Sequence, residues 1–201
     1  MAFTYFFRDM QTLEMIRDYA IPTLRTKRNI KVWDAGCAMG PEPYSLAIIL
    51  RENMGNMMFR NVKIFATDID GSNLFQKIIE SGEYPRDQLE RIPKDIFYKY
   101  FSPVEGTDNY KISDEMIKSI KFMKHDLLSL KPVSDKFELI MCKNVLLHFT
   151  YEQRVEVIKM FYDTLIDGGY FVSEQTQKMP PELEEHFRQV VPNAQVFQKV
   201  V

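Results

Sequence analysis

Cysteine and histidine are scarce in this sequence. Only Cys37 and Cys142 occur among the 201 residues, so a disulfide framework is excluded and the reducing cytoplasm is the expected location. The three histidines, His125, His148 and His186, are far apart and do not combine with the cysteines into the short ligand spacings of a metal site. We therefore expect no bound metal.

Long apolar runs and an excess of one charge are also lacking. The longest apolar segments, 44–50 and 137–142, fall well short of the ~20 residues that span a bilayer, so we expect no membrane insertion. The 26 basic and 28 acidic residues give a net charge of −2, which argues against a nucleic-acid partner. An apolar content of 45% at this length predicts one globular domain over residues 1–201.

The glycine patterns of the common phosphate-binding sites are incomplete. No Gly-Lys-Ser or Gly-Lys-Thr occurs, which excludes a Walker loop. Gly36 and Gly40 are four positions apart with Ala38 between them, so the three-glycine dinucleotide fingerprint is absent. This absence weakens the case for NAD or FAD. It leaves S-adenosylmethionine open, because that cofactor has no pyrophosphate to bind.

The segments with hydrophobic periodicity alternate between strand and helix. The predicted strands are 30–33, 62–67, 137–142, 170–173 and 195–200. The predicted helices are one around Leu13, Ile16 and Ala20 that ends before Pro22, then 42–51, 72–80, one that begins with a Thr150/Gln153 capping box and ends at Gly168-Gly169, and 182–190. Such alternation indicates an α/β fold with a doubly wound, mostly parallel, Rossmann-like sheet and helices on both faces.

The stretch from about residue 84 to 120 breaks this alternation. It contains several prolines and the aromatic cluster Phe97, Tyr98, Tyr100 and Phe101. We interpret it as a small inserted subdomain at the ligand edge of the sheet. The aromatic cluster either holds a peptide or a small acceptor, or forms the core of the insertion itself.

Two strand ends carry residues that are typical of a nucleoside site. Gly36 follows the first strand, and a glycine at a strand-to-helix turn lets a ligand approach the backbone. Asp68 follows the second strand, where an acid can accept hydrogen bonds from both ribose hydroxyls. The alternatives are an ordinary tight turn at Gly36 and a helix N-cap at Asp68. The combination favours a nucleoside-type cofactor.

Several motifs, in order along the chain, resemble those of the CheR family, the chemotaxis-receptor glutamate methyltransferases. Residues 4–8 (TYFFR) resemble T-x-F-F-R, and residues 32–45 (VWDAGCAMGPEPYS) resemble V-W-S-A-x-x-x-x-G-E-E-P-Y-S. Residues 66–70 (ATDID), 81–84 (SGEY), 126–128 (DLL) and 142–149 (CKNVLLHF) resemble A-S/T-D-I-D, S-G-x-Y, N-L-L and C-R-N-V-x-I-Y-F. The resemblance implies a Rossmann-like methyltransferase fold and S-adenosylmethionine as cofactor, with S-adenosylhomocysteine as product.

The resemblance also implies which residues contact the cofactor or border the transfer site. These are Thr4, Arg8, Glu42, Asp68, Asp126, Leu127, Lys143 and Asn144. Glu42 is placed to accept a hydrogen bond from the cofactor's ammonium group. Arg8 is the candidate that orients the acceptor carboxylate, because its rigid fork suits two-point contact with a carboxylate. A glutamate carboxylate is ionised near pH 7, since its unperturbed pKa is about 4.3, so methyl transfer to it needs no general base.

Some residues depart from the family pattern. His148 stands where the family has tyrosine, Lys143 where it has arginine, and Asp126 where it has asparagine. We interpret His148 as a site residue, either a hydrogen-bond donor or a base for an acceptor that must lose a proton. Because the T-x-F-F-R motif lies at the start of this sequence, we expect it to lack the family's N-terminal helical domain, which is associated with docking on receptors.

Three functions are consistent with these residues. The first is methylation of glutamate side chains in a protein, with a chemoreceptor as the candidate substrate. The second is methylation of a small-molecule acceptor with help from His148, which gains from the tyrosine-to-histidine change. The third is a non-catalytic module that binds the cofactor or its demethylated product and regulates a partner. We expect the first ahead of the second, and both ahead of the third.

Overall fold

The computed structural model describes residues 4–176 and 178–200. Its strands are β1 (Ile30–Ala35), β2 (Val62–Asp68), β3 (Glu83–Pro85), β4 (Phe101–Pro103), β5 (Asn109–Ile112), β6 (Ile120–Lys124), β7 (Phe137–Cys142), β8 (Leu165–Ser173), β9 (Phe187–Gln189) and β10 (Val196–Lys199). Its α-helices are α1 (Met10–Met15), α2 (Ile21–Leu24), α3 (Pro41–Met54), α4 (Asn56–Phe59), α5 (Phe75–Ser81), α6 (Lys94–Tyr100), α7 (Asp114–Ser119) and α8 (Tyr151–Thr164). No helix in the described residues is long and apolar enough to cross a membrane.

Seven strands form the main sheet, in the order β6-β2-β1-β7-β8-β10-β9. Strands β6, β2, β1, β7 and β8 are parallel to their neighbours, whereas β10 is antiparallel to both β8 and β9. The chain thus winds outward from β1 in one direction through β2 and β6, and in the other through β7 and β8. This topology confirms the predicted doubly wound, mostly parallel α/β sheet.

Apolar side chains cover both faces of the main sheet. Val32 of β1 belongs to a cluster that includes the buried side of α3, whereas its neighbour Trp33 points to a second cluster with Phe161 of α8. Successive side chains of a strand alternate between faces, so β1 contributes to both clusters. All six residues of β7 are buried, as expected for a strand with packed layers on both sides.

A second sheet of three antiparallel strands, in the order β3-β5-β4, lies within the stretch where the alternation breaks. Three of the four clustered aromatics, Phe97, Tyr100 and Phe101, are buried there, and the Phe97 and Phe101 rings stack at 5.7 Å. Tyr98 is exposed. The aromatic cluster is therefore mainly the core of this small sheet.

The helix predicted to end before Pro22 continues to Leu24. A π-helical turn over Ile16–Ala20 joins α1 to α2, and the N–H of Ile21 donates to the carbonyl of Ile16. The prediction was wrong because Pro22 falls in the first turn of α2, where its missing N–H costs little.

Two further boundaries near the C-terminus were also predicted wrongly. Helix α8 ends at Thr164, and Gly168, with φ +72°, lies inside β8, where the register against β7 shifts. The predicted helix 182–190 is a 3₁₀ turn over Pro181–His186 followed by β9. Its helix-like spacing reflects the burial of Leu183 and Phe187 against the main sheet, and pairing of β9 with β10 fixes the extended backbone.

Candidate functional site

A cleft of about 610 Å³ opens at the carboxyl ends of β1, β2, β6 and β7. The order of the strands reverses between β1 and β7, and the crevice at such a switch point is the usual ligand site of an open α/β sheet. Its volume lies within the range of small-molecule sites. The sequence-predicted residues all line this one cleft: Thr4, Arg8, Gly36, Glu42, Asp68, Asp126, Leu127, Lys143, Asn144 and His148.

The loop after β1 is tied to the end of β2. Gly36 has φ +101° and donates its N–H to the carbonyl of Thr67 at 2.7 Å. A Cβ at Gly36 would lie 2.1 Å from Cγ2 of Val145, so this position requires glycine for both its backbone and its space. Two residues on, Ala38 donates its N–H to Oδ2 of Asp68 at 3.0 Å.

Asp68 presents a fixed carboxylate to the cleft. Its Oδ2 accepts from Ala38 N and its Oδ1 accepts from Asp70 N at 3.1 Å, which leaves further lone pairs on both oxygens. The alternative of an N-cap at Asp68 is wrong, because Asp70 accepts from the N–H groups of Leu74 and Phe75 at the start of α5. The remaining acceptor capacity of Asp68 suits hydroxyl donors.

Buried acids form one end of the cleft. Glu42 lies in the first turn of α3, and its Oε1 is buried with no hydrogen-bond donor among the described residues. Behind it, Asp34 of β1 is 0% exposed, and its carboxyl lies within hydrogen-bond reach of Glu42. Burial raises the pKa of Asp34 well above its usual range, and the negative charge of Glu42 adds to this shift. Burial also raises the pKa of Glu42, although Lys143 and Arg8 oppose the shift.

Lys143 is buried at the same end and already has an ionic partner. Its side chain is 3% exposed, and Nζ lies 2.9 Å from Oδ2 of Asp9. Burial of Asp9 works to raise its pKa, but the Lys143 charge and hydrogen bonds from Thr12 lower the pKa overall. Arg8 is half-buried at the cleft wall, with its guanidinium carbon 5.9 Å from the centre of the Tyr5 ring.

The opposite wall comes from the segments after β6 and β7. Asp126 accepts the N–H of Leu128 at 2.9 Å through Oδ1, which starts a 3₁₀ turn and leaves its other oxygen for a ligand. Asn144 donates its backbone N–H to Oε2 of Glu174 at 3.2 Å. His148 lies exposed at the end of a short 3₁₀ turn, and its imidazole makes no hydrogen bond to the described residues.

Sequence reasoning missed two residues at this site. His125 lines the cleft, its Nε2 is 2.7 Å from the carbonyl oxygen of Lys131, and its ring packs edge-on against Trp33. Asp34 lies behind the lining. The signal for Asp34 was an acid directly after the apolar Val32 and Trp33 of a strand, because a buried acid is rarely tolerated without a partner. The described part of the chain holds no group of three or more His, Cys, Asp or Glu side chains placed to bind a metal.

The fold and the cleft define a Rossmann-like α/β protein with a ligand crevice at its switch point. A family model described as CheR methyltransferase, SAM binding domain, matches residues 2–196, so the chain belongs to this family. This match confirms the resemblance seen in the motifs. The roles of the individual site residues stay predictions.

Curated relatives carry the name chemotaxis protein methyltransferase. The protein from Borreliella burgdorferi is 33% identical over 177 residues, which cover 84% of this chain and 62% of that protein. The protein from Listeria innocua is 35% identical over 179 residues, which cover 88% of this chain and 65% of that protein. The chain therefore spans somewhat less than two thirds of the length of these relatives.

Among solved structures, magnesium protoporphyrin IX methyltransferase (ChlM) from Synechocystis PCC 6803 with bound SAH matches with a TM-score of 0.46 at 16% identity. The match covers 96% of this chain and 67% of that one. A likeness of this size says nothing about the site of this chain.

Proposed function

We propose that this protein is an S-adenosylmethionine-dependent methyltransferase that methylates glutamate carboxylates of a protein substrate, with a chemoreceptor as the candidate. The observation that carries the proposal is that the residues expected from the family pattern line one cleft at the switch point of the sheet. Membership of the CheR family supports the reaction type and the substrate class.

The polar atoms of the cleft fit the cofactor's two ends. Glu42 Oε1 is a buried acceptor that lacks a donor among the described residues, and an ammonium group is a donor. Asp68 keeps acceptor capacity for ribose hydroxyls after its two backbone contacts. Asp126 has a free carboxylate oxygen beside Leu127, where an exocyclic amino group of adenine would find an acceptor. We assign these residues to the ammonium, the ribose and the base.

Methyl transfer to a carboxylate requires the protein mainly to position the methyl donor and the acceptor. When bound, S-adenosylmethionine would supply a methyl group on a positively charged sulfur. The acceptor carboxylate would attack the methyl carbon in line, the sulfur would leave as a neutral thioether, and no base would be needed. Arg8 holds the acceptor carboxylate by two-point contact, because a guanidinium presents parallel N–H donors. Alignment of the methyl donor and the acceptor in the cleft supplies most of the rate gain.

One observation favours a second candidate function. The His148 imidazole lines the cleft and makes no hydrogen bond to the described residues, so it is available to take a proton. A phenol or amine acceptor must lose a proton, and a histidine imidazole is the most frequent general base in enzymes. Methylation of a small molecule is the alternative that this residue supports.

The test is transfer of a labelled methyl group from S-adenosylmethionine into a lysate of the source organism, followed by mild alkali. Methyl esters release methanol under alkali, whereas N-methyl and ether products do not. We expect base-labile label on protein. Label in the small-molecule fraction would favour the alternative, and cofactor binding without any transfer would indicate a binding module.

Arg8 variants then test the assigned role with a matched pair. Arg8→Ala removes the charge and the fork, whereas Arg8→Lys keeps the charge and loses only two-point contact. We expect turnover on the protein substrate to fall in both variants, more in Arg8→Ala, with little change in the melting temperature. A variant that melts several degrees lower but turns over normally would contradict the role of Arg8.

We further propose that the protein works in the cytoplasm without a nucleic-acid partner. Cys37 and Cys142 are both free thiols in the structure, as a reducing compartment requires. The near-neutral charge gives no general attraction for nucleic acid. We also propose that residues 1–201 act as one methyltransferase domain that includes the small sheet.

A further inference from the structure

Asp34 and Glu42 form a buried pair of carboxyl groups. The two groups can form a hydrogen bond with each other only if one of them is protonated. Asp34 is 0% exposed, and neither of its carboxyl oxygens has an N–H or O–H donor among the described residues. Glu42 lies within hydrogen-bond reach of Asp34, and its Oε1 is buried without a donor as well. Two ionised carboxylates this close repel each other, whereas one shared proton turns the contact into a charge-assisted hydrogen bond.

We propose that Asp34 is a positioning residue that carries this proton in the ligand-free protein, and that the ammonium group of the bound cofactor expels it. The Asp34 O–H donates to Glu42 and fixes the carboxylate that faces the cleft. When the ammonium binds at Glu42, the O–H bond of Asp34 breaks, its electron pair stays on the carboxylate, and the proton passes to the solvent buffer. The inference rests on the proposed function, because it needs a cofactor that carries an ammonium group.

The charges around the pair support a protonated resting state. The charged groups that face the pair are Arg8 and Asp9 on the N-terminal segment, Asp68 at the end of β2 and Lys143 after β7. The charge of Lys143 favours ionisation of Asp34, but Nζ of Lys143 already pairs with Oδ2 of Asp9 at 2.9 Å. Together Arg8 and Lys143 offset only part of the effect of burial, because the pKa of Glu42 stays raised.

The neighbouring thiols of Cys37 and Cys142 add no negative charge to the pair. Burial raises the pKa of both Cys37 and Cys142 well above the usual range, and the charge of Glu42 adds to these shifts. Both thiols therefore stay neutral near pH 7. The ammonium of the cofactor would add a further positive charge beside Glu42, and a nearby positive charge favours ionised carboxyls.

Cofactor affinity then depends on pH with a defined sign. The relevant pH range lies between the pKa of the pair in the cofactor complex and its pKa in the free protein. In this range, binding releases up to one proton, and the affinity rises with pH by up to about tenfold per pH unit. At lower pH the pair stays protonated in both states, and at higher pH it is ionised in both. Proton release is therefore expected as a peak against pH.

The test is calorimetric titration of S-adenosylhomocysteine into the wild-type protein over a range of pH, each in two buffers of different ionisation enthalpy. The buffer dependence of the heat counts the protons released per ligand bound. The matched ligand is 5′-methylthioadenosine, which has the same nucleoside but no ammonium or carboxylate. We expect a release peak with S-adenosylhomocysteine and none with 5′-methylthioadenosine.

Asp34→Asn is the matched variant, because its amide N–H still donates to Glu42 but releases no proton. It should bind S-adenosylhomocysteine without the release peak, and any titration of the ligand itself is common to both proteins. Asp34→Ser, which places the family's serine at this position, also has no carboxyl proton to release and provides the same readout if Asp34→Asn does not fold. Three outcomes overturn the inference: the wild type and the folded variant release equal numbers of protons, the two ligands cause equal release, or the wild type releases no proton. Absence of any S-adenosylhomocysteine binding to the wild type overturns the proposed function with it.

Discussion

Asp68→Ala is expected to weaken binding of S-adenosylhomocysteine, because we assign the Asp68 carboxylate to the ribose hydroxyls. A hydrogen bond to a charged group contributes about 1.5–3 kcal/mol, so losing one such bond lowers affinity by roughly tenfold to more than a hundredfold. The substitution also removes the acceptors of Ala38 N and Asp70 N, which lie 3.0 and 3.1 Å from the carboxylate oxygens. The variant should therefore also melt at a lower temperature.

Asp68→Asn and a second ligand separate the ribose contact from this damage to the loop. The amide oxygen keeps one acceptor in place, so a smaller loss of affinity is expected. Calorimetric titration of wild type and both variants with S-adenosylhomocysteine and its 2′-deoxy analogue makes a double-mutant cycle. The wild type should prefer the ribose ligand, and Asp68→Ala should lose that preference. An equal preference in all three proteins would refute the ribose assignment, whatever the overall affinities are.

Three further predictions concern packing at Gly36, the pH dependence of turnover and the pH dependence of stability. Gly36→Ala should lower the free energy of unfolding by about 1–3 kcal/mol through backbone strain and by about 1–3 kcal/mol more through overpacking, because its Cβ would lie 2.1 Å from Val145. The control is Gly55→Ala, at φ +80° with nothing within 4 Å of its Cβ, which should show only the strain when both variants are unfolded in urea. If glutamate is the acceptor, turnover should be flat between about pH 6 and 8 and should survive His148→Ala; a pH profile that this variant abolishes would favour a small-molecule acceptor. Because the pKa of Asp34 is raised in the folded state, the free energy of unfolding should fall with rising pH above about 3.9, by up to about 1.4 kcal/mol per pH unit; Asp34→Asn should flatten this slope, and parallel curves would contradict it.

Much of the sheet could be predicted from the sequence, because buried parallel strands read as continuous apolar runs. Residues 137–142 were predicted as a strand with the bounds that β7 has. The errors arose where tertiary contacts override local signals. Pro22 marks the start of a new helical turn, and Gly168 lies at a register shift in β8. Strand β6 was missed, since the segment before it has irregular periodicity and its pairing with β2 is long-range.

The lining of the cleft could also be predicted, because strand ends at one edge of a parallel sheet meet in space. Gly36 and Asp68 lie at the carboxyl ends of adjacent strands, so their proximity was expected from topology alone. The interaction of Asp34 with Glu42 could not be expected from topology, since it depends on the angle at which α3 leaves the loop after β1. His125 was missed because a single histidine carries no pattern; its place emerges only when β6 pairs with β2.

The small sheet has a physical connection to the cleft through the N-terminal segment. Phe6 is fully buried, with its ring edge-on to Tyr84 of β3 at 5.0 Å and to Phe101 of β4 at 5.5 Å. The next residue, Phe7, donates its N–H to Ser45 Oγ of α3 at 2.8 Å. Arg8 follows directly, so its backbone is held between the small sheet and the helix that carries Glu42. Because a side chain positions a substrate only as well as its own backbone is fixed, the packing around Phe6 contributes to the geometry of transfer.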